Sequence, residues 1–179
     1  IINFSLQNSG AYQLNYSLSG TDELAPENQL MEISGFVPMG THNGHTYYRS
    51  NSTMSWQSAK LLCEQEGGHL VTISNLAENT FVYENSTPSS WLGFTDENSE
   101  GNWQWITGEP VNFTYWLPNE PNNSNNEDYA QMGHTSPYYK WNDNANDTNN
   151  NSHAILEFDF LFPPSILVFS QNSGILEAG

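Results

Sequence analysis

A chain of 179 residues, 36% hydrophobic and 13% aromatic, suffices for one well-cored domain plus a small appendage. Twenty Asp and Glu against three Lys and Arg leave a formal net charge of -17, a field that repels phosphate backbones and anionic lipid surfaces and draws cations. Nucleic acid and anionic membrane are therefore poor partners, and no apolar run reaches the length of a membrane helix.

In chain order, residues 1–35 alternate apolar and polar positions in INFSLQ and AYQLNYSLSG around the turn signal NSG, which predicts a β-hairpin. From Ser55, an N-cap candidate, SWQSAKLLCEQEGG places Trp56, Ala59, Leu62 and Cys63 on one helical face, and Gly67-Gly68 stops it. HLVTI follows as a short apolar strand. Ser74 is expected to cap a second helix, NLAENTFVYEN, with Leu76, Phe81 and Val82 facing inward. WLGF at 91–94 is a buried-strand candidate. Polar loops and aromatics then alternate up to ILEF at 155–158, and SILVFSQNSGILEAG after Pro163-Pro164 reads as strand, turn, strand. Two early helices followed by a loop-heavy β half predict an α+β domain.

Cys63 is the single cysteine, so no internal disulfide can form. On the inner face of a helix it reads as a small buried hydrophobe rather than a nucleophile. Glu120, Asn122, Glu127, Asn142 and Asp143 are hard oxygen donors gathered in two short segments, EPN with its following Glu, and WND. Ca²⁺ takes six to eight oxygens from such a mixture of carboxylates and amides. Composition alone favours a solvated loop. No Cys/His cluster for zinc is visible, and isolated His134 and His153 read as surface or core residues. Nor is there a nucleophile–base pairing that would indicate an enzyme.

The order Trp56, Ala59, Cys63, GG, LV, then WLGFTD, GNWQWITGEP, EPN, NED and WND resembles the C-type lectin-like domain over residues 36–158. The resemblance implies that fold: two helices, small antiparallel sheets and a long calcium-binding loop region. It implies a calcium ion held by Glu120, Asn122, Glu127, Asn142 and Asp143, with Asp143 also binding through its main-chain carbonyl, and a cis bond before Pro121. The same five residues would bind two vicinal hydroxyls, and EPN resembles members that select mannose, fucose or glucose-type sugars. A second cation site is implied at Asp96, Glu100, Asn123, Glu127 and Asp128. Trp56, Trp91, Trp103, Trp105 and Trp116 fall at core positions of the family, while Lys140, Tyr138 and Tyr139 border the ligand region beside Trp141.

This chain departs from the pattern by lacking the family's two disulfides. The partner position of Cys63 is expected at Leu156, as an apolar contact, and Tyr129 occupies a place of the second pair. The resemblance thus implies a non-enzymatic, extracellular module for cell-surface glycans, with protein recognition and, remotely, ice binding as alternatives. Domains of this kind begin and end on adjacent strands, so residues 1–35 and 159–179 are expected to pair into a small β-sandwich-like unit carrying the lectin as an insert. That arrangement suits the remainder of a larger bacterial surface adhesin.

Overall fold

The computed structural model describes residues 30–86, 89–133, 139–146 and 152–160. Ten elements follow in order: β1 Phe36–His42, β2 His45–Met54, α1 Trp56–Gln65, β3 His69–Leu70, α2 Leu76–Asn85, β4 Ser90–Thr95, β5 Gln104–Trp105, β6 Tyr129–Met132, β7 Trp141–Asn144 and β8 Ser152–Phe158. The expected α+β class and two helices are present. The strands run β1-β2-β8-β4-β6-β7, with β3 also on β8 and β5 on β4. All pairings are antiparallel except β4 with β8, where Ser90 faces His153 and Trp91 faces Ala154. That parallel contact joins the antiparallel ladders into one mixed sheet.

Helix α1 forms where the sequence predicts it. Ser55 caps it by accepting from the Ser58 N–H, and Trp56, Ala59 and Cys63 make its buried face, with Leu62 at the margin. Gly67 ends it at φ +83, a left-handed conformation that glycine adopts without Cβ strain.

Helix α2 differs from its prediction in two respects. Its N-cap is Asn75, whose side chain accepts from the Glu78 N–H at 3.0 Å. Ser74 instead fixes Glu78, its N–H and hydroxyl both donating to Oε2 at 2.8 and 2.7 Å. The inward face carries Glu78, Asn79 and Val82, while Leu76 is half exposed and Phe81 packs at the edge. Burying Glu78 and Asn79 is affordable because each is satisfied: Tyr47 donates to Glu78 Oε1 at 2.8 Å, and Trp141 Nε1 donates to Asn79 Oδ1 at 2.8 Å. Hydrophobic periodicity cannot find such a face.

The core forms two clusters. One holds Trp56, Cys63, Leu70, Trp91 and Leu156; the other holds Tyr47, Ile73, Leu92, Phe94, Trp105, Trp141 and Ile155. The expected packing role of the tryptophans is seen in both, with Trp103 and Trp116 partly buried against Phe94. The indole N–H groups of the fully buried tryptophans are satisfied: Trp56 donates to Leu92 O at 2.8 Å, Trp91 to Met54 O at 2.7 Å and Trp141 to Asn79 Oδ1. Strand β4 is buried throughout, and Gly93 within it allows close approach, since a Cβ there would lie 2.6 Å from the Leu70 carbonyl oxygen. HLVTI pairs as a strand only at His69–Leu70, although Val71 and Ile73 are buried as expected.

Ile33 and Phe36 are buried in the first cluster, and Leu30 and Met31 pack against it. The pairing of residues 1–35 with 159–179 otherwise concerns segments outside the described residues. Among the described residues, no helix is long and apolar enough to cross a membrane.

Candidate functional site

The loop between Leu117 and Asp128 is shaped by its asparagines. The Glu120 N–H donates to Leu117 O at 3.1 Å, closing a turn with Pro118 second and Asn119, at φ +73, third. Asn123, Asn125 and Asn126 also have positive φ, at 50, 64 and 68°. Asparagine tolerates this left-handed region better than other side chains bearing a Cβ. Asn122 is the one asparagine of the loop outside it. The Glu120–Pro121 peptide is cis, as expected from the resemblance.

Side chains then tie the loop to itself and to β7. Asn122 Nδ2 donates to Glu120 Oε2 at 2.6 Å, while Asn122 Oδ1 accepts from the Ser124 N–H at 2.8 Å. Asn123 Oδ1 accepts from the Glu127 N–H at 2.8 Å. The Asn123 N–H donates to Asp143 Oδ2 at 2.6 Å, and across the same seam the Leu117 N–H donates to Trp141 O and the Trp141 N–H to Tyr115 O. The two sequence segments expected to share a ligand are therefore adjacent. Asn142 is half-buried and donates through Nδ2 to the Asp143 carbonyl, the group expected to act as a second Asp143 ligand.

The electrostatics are unbalanced. Asp143 is fully buried, and its Oδ1 has no hydrogen-bond partner. Burial, a hydrogen bond with Asp143 and the charges of Asp143 and Glu127 push the Glu120 carboxyl up to about 7. Glu127 is raised too, by burial and by Asp143. Among the described residues nothing basic offsets them: Lys140 turns to the Trp116 carbonyl at 3.3 Å and sits 4.0 Å over the Tyr115 ring. Tyr139 stacks on Tyr115, and Tyr138 and His134 lie outside the described residues.

The second expected set lies beside the first. Asp96 is buried at the end of β4, with Oδ2 accepting from the Gly101 N–H at 2.8 Å and Oδ1 unpartnered. Burial raises its pKa, with Asp128 and Asp143 adding to the effect. Exposed Glu100 is raised by desolvation and by the charges of Asp96, Asp128 and Asp143. Asp128 Oδ2 accepts from Asn126 Nδ2 at 2.9 Å.

Compared with known proteins, residues 52–154 match the family described as the Lectin C-type domain. The chain belongs to the C-type lectin family. It is 40% identical to human C-type lectin domain family 17 member A over 111 residues, covering 61% of this chain and 28% of that protein. It is 43% identical to the hepatic lectin of Gallus gallus over 104 residues, covering 56% of this chain and 49% of that one. The chain thus spans half or less of the length of these relatives. The carbohydrate-recognition domain of the mouse scavenger receptor C-type lectin superposes with a TM-score of 0.63 at 28% identity, over 73% of this chain and 98% of that one.

Within this lectin fold, Cys63 is free and fully buried, and Leu156 is buried in the same cluster. Tyr129 packs against Trp56 with the rings tilted and their centroids 4.5 Å apart, donates to Glu97 Oε2 at 2.9 Å and accepts from Gln57 Nε2 at 2.6 Å. His153 contacts the Ser50 carbonyl at 2.8 Å, in keeping with a packing role. One grouping escaped the sequence reading, which expected no His cluster suited to zinc. The structure gathers His45 and His69 with Glu157 and Asp159. These residues are scattered over 115 positions, so only strand pairing reveals them.

Proposed function

We propose that this lectin domain binds Ca²⁺ through Glu120, Asn122, Glu127, Asn142 and Asp143, and that the ion takes two vicinal hydroxyls of a mannose, fucose or glucose-type sugar. The observation that carries the reading is Asp143 Oδ1, an acceptor held out of water with no donor. A buried carboxylate oxygen without a partner is unfavourable unless a cation or a proton meets it. Three neighbouring carboxylates favour a dication, leaving about one negative charge, and an all-oxygen donor set favours calcium over zinc.

Sugar binding follows from the alternation of groups. A hydroxyl both donates and accepts, so it needs a carboxylate on one side and an amide NH₂ on the other. Asn122 and Glu120 already form such a pair, 2.6 Å apart. Asn142 and Glu127 supply the second. The hydroxyls would replace that internal pairing with charge-assisted bonds of their own. A site this shallow binds one sugar weakly, so useful adhesion to surface glycans is multivalent.

Asp96, Glu100, Asn123, Glu127 and Asp128 form the candidate second Ca²⁺ site, supported by the unpartnered Asp96 Oδ1. An extracellular setting agrees with this chemistry. The bacterial-adhesin setting expected from the flanks draws no support from the relatives, which are animal proteins, and the glycan reading does not depend on it. Binding to a glycan array in calcium and in excess chelator tests the function. Loss of mannose and fucose signal in chelator, and loss or redirection in Glu120→Gln with Asn122→Asp, are expected. Retained binding in chelator overturns the reading.

A further inference from the structure

We propose that His45, His69, Glu157 and Asp159 form a site for a transition-metal dication of the zinc type, separate in residues and ligand chemistry from the calcium loops. Ligand atoms of His45, Glu157 and Asp159 all lie within 4.8 Å of one another. His69 lies outside that group and approaches it through Asp159, its Nε2 standing 3.2 Å from Oδ1. Strand pairing makes the cluster: Tyr47 of β2 and His69 of β3 both face Glu157 of β8.

The orientation of His69 is the decisive detail. Its Nδ1 lies 2.9 Å from the Leu70 carbonyl oxygen, which can only accept, so Nδ1 carries the proton. In the neutral ring, Nε2 then presents a lone pair, and it points at a carboxylate oxygen that also only accepts. Two acceptors facing each other at 3.2 Å require a cation between them: a proton, which against burial the Leu70 carbonyl, Glu157 and Asp159 favour by raising the His69 pKa, or a metal ion that takes its place. A backbone carbonyl that fixes Nδ1–H and frees Nε2 is the arrangement by which a metal-binding imidazole is held in its tautomer.

The separations from Asp159 match a small tetrahedral ion, with His45, Glu157 and Asp159 already grouped and His69 needing to draw in from beside them. Metal–ligand bonds of about 2.0–2.1 Å place neighbouring ligands about 3.3 Å apart. The His69–Asp159 and His45–Asp159 separations are 3.2 and 3.6 Å. His45 Nδ1 and Glu157 Oε1, now at 2.7 Å, form a hydrogen bond that opens slightly when an ion is shared. Glu157 is fully buried and oriented by Thr72, whose N–H donates to Oε2 at 2.9 Å. Two neutral imidazoles and two carboxylates neutralise a dication, and nitrogen donors select zinc-type ions over calcium. Such an ion would clip β2, β3 and β8 together in a chain that forms no internal disulfide.

The test uses the full 179-residue chain, stripped with chelator and titrated with Co²⁺, whose tetrahedral complexes absorb visible light. One equivalent of coloured complex, displaced by Zn²⁺, is expected. The colour should persist in a Glu120→Gln, Glu127→Gln double variant, which disables the calcium loops. His45→Ala and Asp159→Asn alter partly exposed side chains, so they should fold, as checked by circular dichroism, and weaken Co²⁺ binding at least about 100-fold. Zn²⁺ should raise the thermal midpoint of the parent chain and not of these variants. Absence of a tetrahedral spectrum overturns the proposal, leaving a protonated His69 paired with Asp159. Colour that vanishes in the loop variant, or survives both site variants, overturns it equally.

Discussion

The backbone N–H of Asn123 donates to Asp143 Oδ2 over 2.6 Å, fastening the 119–128 loop to strand β7 and leaving Oδ1 of the same carboxylate buried and unpaired. One oxygen holds the scaffold and the other remains available to a cation. Asp143→Asn separates these tasks, because an amide oxygen can still accept from Asn123. Calcium affinity should fall by more than the roughly 10–100-fold typical of changes one shell further out. In chelator, the variant should unfold no earlier than the parent, since one of three mutually repelling carboxylates is gone. Calcium titration by calorimetry and thermal denaturation in chelator check both outcomes.

Calcium binding should depend on pH through Glu120. Burial and its acidic neighbours place this carboxyl at about 7 in the calcium-free protein. The ion needs the carboxylate form, so a proton competes with it below that value. Affinity is highest above about pH 7 and declines as pH falls, by up to about tenfold per pH unit for one displaced proton. Raised Glu127 acts in the same direction. Calcium isotherms between about pH 8 and pH 5 should show this slope, and Glu120→Gln should weaken binding and flatten it.

Much of the architecture was legible from residue spacing. Trp56, Ala59 and Cys63 mark the buried face of α1, and the burial of β4 agrees with WLGF. The inner face of α2 was not, because its polar members Glu78 and Asn79 are buried only through partners far along the chain, Tyr47 and Trp141. The loop composition was ambiguous for a similar reason. Four asparagines serve backbone conformation, and nothing in NNSNN distinguishes them from Asn122, whose amide faces Glu120. His45 and His69 became neighbours only once β2 and β3 both paired with β8.

That division of labour predicts opposite outcomes within one loop. Asn125 is exposed, sits at φ +64 and reaches only Ser124 Oγ, at 3.3 Å. Asn125→Gly should leave both stability and calcium affinity close to those of the parent, since glycine accepts this conformation. Asn125→Val should destabilise by about 1–2 kcal/mol, because a branched side chain resists the left-handed region. Asn122→Gly should leave the fold intact and reduce calcium and sugar binding together. Chemical denaturation alongside calcium titration of the three variants distinguishes a conformational asparagine from a ligating one.

Cys63 provides the last test, of the core rather than the site. It is fully buried, and burial together with Glu64 and Glu66 pushes its thiol pKa upward. A protonated, inaccessible thiol reacts with neither disulfide reagents nor alkylating agents, so native labelling should be slow and should follow the extent of unfolding. Cys63→Ala leaves a small cavity beside the cluster that holds Leu156, and should destabilise by about 1 kcal/mol. Cys63→Ser is nearly the same size but buries a hydroxyl in an apolar cluster, a loss of about 1–3 kcal/mol if it finds no acceptor. The stability order Cys, Ala, Ser, measured by denaturant unfolding, therefore follows from a residue that acts as a hydrophobe. A serine variant as stable as the parent would place a polar partner at this position instead.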